Sequence, residues 1–226
     1  MFSVLDKIKI KSALGILFFL LCTCVFSVSA REYPDSSVWQ GGHIKLDIGN
    51  TAYTLIRSGG KTQQYEIVAN VNLLKRFYPT IEVGAGWSSD EAAGGFYKGA
   101  GGFGKVGIDV NPLKKNRNNN YALLVGIRVG VGMQHYSLSQ VTLNDNYWDR
   151  HGTYRDYPNQ FRADSWGEVV AGVQVKVAGP FFMGWYARVH FLFTSQTGDH
   201  QPYYIPGYGY HDGAIFSFNY YLGLRW

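Results

Sequence analysis

The sequence predicts an all-β protein, a closed antiparallel transmembrane β-barrel of about eight strands wound as an up-and-down meander. Three observations predict it. The chain opens on what reads as an export leader. Past the leader, apolar residues recur at every second position, the period of a strand rather than a helix. The connections between these stretches alternate short with long, as they do in barrels that cross a membrane.

The leader is read first. Lys7, Lys9 and Lys11 form a basic head, Ala13 to Phe26 is an almost unbroken apolar stretch, and Val28-Ser29-Ala30 supplies the small residues of a cleavage site. Residues 1–30 are therefore expected to be a signal peptide, removed before Arg31 after Sec-type export, and residues 31–226 the barrel domain. A membrane anchor would need a longer apolar run. Thr23 before Cys24 is a poor fit to the small residue that lipid modification of a cysteine wants. Cys22 and Cys24 are the two cysteines of the chain, so the exported part carries no disulfide and no thiol chemistry.

About 196 residues remain, one domain's worth. The formal charge of +5 falls to +3 once Lys7, Lys9, Lys11 and Asp6 leave with the leader. That is too mild a charge for nucleic acid, and no basic patch is interleaved with aromatics. The run Lys114-Lys115-Asn116-Arg117 reads as a solvated turn. No later stretch approaches the ~18–20 apolar residues of a spanning helix. Glycine (28 residues) and aromatics (16%) are both abundant, a pairing more common in β-structure.

Eight strands follow in order. Ile44, Leu46 and Ile48 oppose Lys45 and Asp47. Tyr65, Ile67, Ala69, Val71 and Leu73 oppose Glu66, Asn70 and Asn72. Ile81, Val83, Ala85 and Trp87 oppose Glu82, Gly84 and Gly86, and Val106, Ile108 and Val110 oppose Lys105, Gly107 and Asp109. The clearest runs from Tyr121 to Gln134, with Leu123, Val125, Ile127, Val129 and Val131 on one face and Gly126, Arg128, Gly130 and Gly132 on the other. Val169, Ala171, Val173, Val175 and Val177 oppose Glu168, Gly172, Gln174 and Lys176. Met183, Trp185, Ala187, Val189, Phe191 and Phe193 oppose Gly184, Tyr186, Arg188 and His190. Finally Phe216, Phe218, Tyr220, Leu222, Leu224 and Trp226 oppose Asn219, Gly223 and Arg225. No helix is evident. Each strand is near the ~9–11 residues that a tilted strand needs to cross a bilayer.

Lys75-Arg76, Pro112 to Asn119 and Ala178 to Pro180 are the short to moderate connections. Ser88 to Phe96, Ser137 to Ser165 and Gln196 to His211 are the longer ones, all on one side of the barrel, where Arg57 to Thr62 is a short exception. The long ones, dense in Tyr, Trp and His, are expected to be outer loops that make any surface contact.

An antiparallel sheet in water also alternates. The polar face here is instead rich in glycine, which suits the cramped interior of a narrow closed barrel. Its charges nearly balance: Asp47, Glu66, Glu82, Asp109 and Glu168 against Lys45, Lys105, Arg128, Lys176, Arg188 and Arg225. Buried charges must pair, so a side-chain-filled, non-conducting lumen is expected. Trp87, Tyr121, Tyr136, Trp166, Phe181, Trp185, Tyr220 and Trp226 are expected on the lipid face as interfacial girdles. Trp226 is placed at the periplasmic interface, in a terminal aromatic strand that resembles the signal read by barrel-assembly machinery. A soluble lipocalin-like ligand-binding barrel, with its aromatics as core, is the alternative.

The order EIVANVNLLKRFYPTIEVG, KVGIDVN, WGEVVAGVQVKV, GPFFMGWYARVHF and YIPGYG resembles a family of outer-membrane β-barrel proteins of Bacteroides-type bacteria, a domain of unknown function. The resemblance covers nearly all of the exported chain. It implies fold and outer-membrane location, and brings no activity or catalytic residues with it.

His135-Tyr136-Ser137 has the histidine–serine spacing of outer-membrane lipid A deacylases, and an activated serine would need a carboxylate to orient His135. Asp164 is the nearest candidate. His190 reads as a lumen histidine beside Arg188. Asp145, Asp149, Asp156 and Asp164 match no calcium loop. No catalytic, cofactor or metal residue is assigned. The expected partners are membrane lipid, including lipopolysaccharide, and the assembly machinery, for a protein that is a monomer. The alternative function is a lipid A-modifying hydrolase using His135 and Ser137.

Overall fold

A computed structural model of the chain describes residues 37–92, 95–113, 120–145, 150–193, 201–210 and 215–226. The expected leader, 1–30, the basic run at 114–117 and Asp149 lie outside the described residues.

Eight long strands close into one ring: β1 (Trp39–Asp47), β2 (Thr62–Leu73), β3 (Phe77–Ala92), β4 (Gly95–Val110), β5 (Tyr121–Asp145), β6 (Arg150–Ala178), β7 (Phe181–Leu192) and β10 (Ile215–Arg225). Every neighbouring pair is antiparallel, and β10 closes the ring against β1 from His43↔Arg225 to Asp47↔Tyr221. The meander of about eight strands is therefore as the alternation predicts. Between β7 and β10 a small hairpin of β8 (Tyr204–Ile205) and β9 (Gly209–Tyr210) stands apart from the ring.

The connections at one end, here the turn end, are tight, as at Leu74–Arg76 and Gly179–Pro180. The other end, the loop end, corrects the sequence reading in three places. The first connection is not short: residues 49–57 form a helix, α1 (Gly49–Arg57), which the alternation concealed. The span from Ser88 to Phe96 is mostly strand, with β3 and β4 paired to Ala92↔Gly95. The described part of the span from Ser137 to Ser165 is likewise strand, since β5 and β6 stay paired through register shifts to Asp145↔Arg150.

The two faces of the ring differ in kind. Outward positions are apolar and exposed, among them Ile127 (61%) and Phe216 (67%). Inward positions bury Lys45, Glu66, Glu82, Lys105, Asp109, Arg128, Glu168 and Arg188. A water-soluble barrel has the opposite polarity. The inward glycines sit beside bulky inward neighbours. A Cβ at Gly130 would stand 2.5 Å from the Trp166 ring, and one at Gly84 would stand 2.3 Å from Phe103. Trp166, expected on the lipid face, is fully buried inside, where its indole Nε1 donates to Glu168 Oε1 at 2.8 Å. Tyr136 also points inward, ring to ring with Tyr97 at 6.0 Å. Both follow the parity of their strands. Trp87, Tyr121, Phe181, Trp185 and Trp226 are exposed as expected.

Candidate functional site at the loop end of the barrel

Charged side chains from six neighbouring strands meet in the interior. Arg188 on β7 donates through Nη1 to Glu82 Oε2 on β3 (2.7 Å) and Glu168 Oε2 on β6 (2.9 Å), and through Nη2 to Glu66 Oε1 on β2 (3.4 Å). Lys105 on β4 lies 2.8 Å from Glu66, 3.2 Å from Glu168 and 3.5 Å from Glu82. Arg128 on β5 bridges Glu82 Oε1 (3.0 Å) and Asp109 Oδ2 (2.7 Å). Each guanidinium is a planar fork, so it satisfies carboxylates from two directions at once. Tyr221 extends the cluster by donating to Glu66 at 2.6 Å.

The remaining charges of the expected ring settle differently. Lys45 donates to the Tyr186 hydroxyl at 2.9 Å. Asp47 accepts from Asn219 Nδ2 (2.6 Å) and from the Asn50 N–H (3.0 Å), so it ties the start of α1 to β10. Arg225 donates to the Gln40 carbonyl at 2.8 Å near the turn end. Lys176 is half-buried on β6.

Above this cluster the β8–β9 hairpin turns into the barrel rather than out toward solvent. Tyr204, Ile205 and Tyr208 are buried. Tyr204 Oη donates to Gln64 Oε1 at 2.6 Å, the Gly207 N–H donates to the same oxygen at 3.0 Å, and Tyr97 Oη donates to the Tyr204 carbonyl at 2.9 Å. Burial pushes the Tyr204 phenol up, so it stays a donor. Tyr208 packs edge-on against Trp166 and against His190. Gly207 is required there: its φ is +83°, and a Cβ would meet the Phe103 ring at 2.5 Å. The tyrosine-rich loop expected to reach outward instead fills the mouth, because its aromatic rings find Phe103 and Trp166 to bury against.

A cavity of about 740 Å³ is left between α1, the hairpin and β10. His190 lies at its inner side, with Nε2 2.8 Å from Ser217 Oγ and Nδ1 3.4 Å from Glu168, as a lumen histidine should.

The histidine and serine singled out by spacing do share a depression, of about 460 Å³, on the outside of the wall. His135 is exposed and packs on Phe161 at 5.0 Å. Ser137 Oγ accepts the Asn159 N–H at 3.0 Å. Asp164 is not with them. It pairs in register with Gly132, faces the interior and binds Arg162 Nε at 2.8 Å. The wall separates the acid from the histidine it would have to orient. Of the calcium candidates, Asp156 accepts the Gln140 N–H at 2.8 Å, while the side chain of Asp145 lies outside the described residues. Among the described residues no cluster of three or more His, Cys, Asp or Glu could hold a metal. No described helix is long and apolar enough to cross a membrane, which says nothing of the strands.

A family model described as a domain of unknown function, DUF6048, matches residues 9–224. The chain belongs to the DUF6048 family. Among solved structures, it is similar to the crystal structure of Ail, the attachment invasion locus protein of Yersinia pestis. The identity is 9%, over 82% of this chain and 97% of that one, with a TM-score of 0.39. No curated protein matches the sequence. For this DUF6048 member, function has to be read from the barrel itself.

Proposed function

We propose that this DUF6048 protein is a small outer-membrane barrel of a Gram-negative envelope with a lumen that does not conduct, serving as a structural or surface-contact element rather than an enzyme. The single observation that carries the reading is the inverted polarity of the ring. Leaving Val125, Ile127, Val129, Phe216 and Phe218 outside is unfavourable in water, whereas lipid accepts them at no such cost. The closed ring fits the same solvent, since hydrocarbon offers no partner to an open sheet edge. The soluble lipocalin-like alternative would need an apolar interior, and the buried ion cluster opposes it.

The remaining parts of the reading follow from it. Export under the 1–30 leader, removal of that leader, insertion by barrel-assembly machinery, lipopolysaccharide as surrounding lipid and a monomeric state all belong to the proposal. The resemblance to Bacteroides-type outer-membrane barrels supports it. The cluster around Arg188 and the inward hairpin at Tyr204 support a closed lumen, because an ion would have to displace paired charges to pass. The hydrolase alternative is disfavoured by the inward position of Asp164.

Liposome swelling tests the lumen: reconstituted protein should admit small sugars no faster than empty liposomes, and rapid swelling would refute closure. Unchanged lipid A after incubation with the purified protein is expected, and loss of an acyl chain would restore the hydrolase reading.

A further inference from the structure

The wall of the barrel is incomplete beside β10. β1 stops at Asp47, paired with Tyr221, and one more backbone bond, Ile48 N–H to the Tyr220 carbonyl, ends its contact with β10. From Tyr220 back to Ile215, β10 has a neighbouring strand on its β7 side alone. Helix α1 takes the place that β1 leaves, held to β2 by the Thr51 hydroxyl on the Gln64 carbonyl at 2.8 Å. The 740 Å³ cavity lies at this substitution. It is lined by outward residues of β10, Phe216 and Phe218, and equally by the inward residues Ser217 and Asn219. The cavity thus lies along the stretch of β10 that β1 leaves unpaired.

We propose that this notch binds an anionic lipid from the surrounding membrane, with an acyl chain lodged between α1 and the edge of β10 and the head group against Arg57. The inference rests on the membrane placement above. Three features point to this class of ligand. The cavity lies within the ~300–1,000 Å³ of small-molecule sites and opens between aromatic rings, Tyr53 of α1 and Phe216 and Phe218 of β10. Those rings continue the exposed apolar face of the barrel, and α1 adds Leu55 and Ile56, the latter 81% exposed, so the entrance lies among groups that suit lipid. Arg57 stands at the entrance, exposed, its guanidinium stacked on the Tyr53 ring at 5.6 Å and hydrogen-bonded to the Tyr53 hydroxyl. No carboxylate pairs with it among the described residues. A guanidinium so held is suited to a phosphate or carboxylate head group.

The test uses the mature protein in liposomes with photoreactive probes: phosphatidylglycerol carrying a mid-chain diazirine in one arm, and the free fatty acid carrying the same diazirine in the other. After illumination, adducts are mapped by mass spectrometry. Adducts on Tyr53–Arg57 and Phe216–Tyr220 should exceed those on the lipid-facing stretch Val125–Val131 several-fold. The excess should vanish in Thr54→Trp and in Asn50→Phe, which fill the notch from α1, and should fall several-fold in Arg57→Gln. Excess labelling from the phosphatidylglycerol probe would support a membrane lipid, whereas excess from the free acid alone would overturn it in favour of a detached fatty acid. Labelling of α1 and β10 no greater than that of Val125–Val131, or an excess unaltered in all three variants, would overturn the proposal while leaving the membrane reading intact. An unlabelled Val125–Val131 would overturn both.

Discussion

Arg188 sits at the centre of the buried ion cluster. It reaches Glu66, Glu82 and Glu168, which come from three different strands. Removing one partner from such a cluster leaves uncompensated buried charge, at a cost of about 3–5 kcal/mol. Arg188→Leu should lower the barrel's unfolding free energy in denaturant by that amount; a change well under 1 kcal/mol would mean that the cluster is solvated. The inward glycines act through volume. Gly130→Val should destabilise by about 1–3 kcal/mol, because its Cβ would overlap the Trp166 ring. Gly104→Ala is the control: it faces outward, and its Cβ would meet nothing nearer than 3.9 Å. Equal melting shifts in the two variants would refute the packing argument. The pairing of charges and glycines on one face was legible in the sequence. That Trp166 fills the space above Gly130 was not, because aromatic residues suit a lipid interface and a crowded lumen equally well, and only strand parity separates them.

Elements at the loop end were the least legible, for a physical reason. Alternation is visible where one face meets apolar surroundings and the other does not. Beyond Tyr136 the polar residues Ser137, Ser139 and Gln140 fall at both odd and even positions, so the strand continues without contrast. Helix α1 spans nine residues, too few for the 3.6-residue period to declare itself, and its Thr51 and Thr54 belong as readily to a strand. The β8–β9 hairpin looked like a surface loop because tyrosine is at home in both places. Its inward seat depends on Gly207. Gly207→Val, strained at φ +83° and clashing with Phe103, should release the hairpin and expose residues 201–210 to protease. The barrel itself should keep its heat-modifiable migration on SDS gels, since none of its strand pairings involves the hairpin. Continued protease resistance of 201–210 would show that the hairpin is held without Gly207.

At the scale of the whole molecule, fold and function rest on one inversion: charges in, hydrocarbon out. The ring of eight and its antiparallel order follow from period-two alternation together with the connections, and the alternation assigns nearly every strand residue to a face. The ion cluster then accounts for a filled interior. The break in the wall at α1 could not be foreseen, because it arises where one strand ends early relative to its neighbour, a property of register rather than of local pattern. The alternative histidine–serine reading lacks its acid on the same ground. His135 and Asp164 are near in register but on opposite faces of the wall, and a one-residue difference in parity decides it.

The central claim is that the outward face meets lipid, and β5 provides the cleanest place to test it. Residues 31–226 contain no cysteine, so single cysteines can be placed at Val125, Ile127, Val129 and Val131 and spin-labelled in protein reconstituted into liposomes. Labels at 125, 127, 129 and 131 should be accessible to oxygen, which concentrates in the bilayer, and shielded from a water-soluble nickel relaxant. Odd-position labels that respond to the nickel relaxant rather than oxygen would contradict the account.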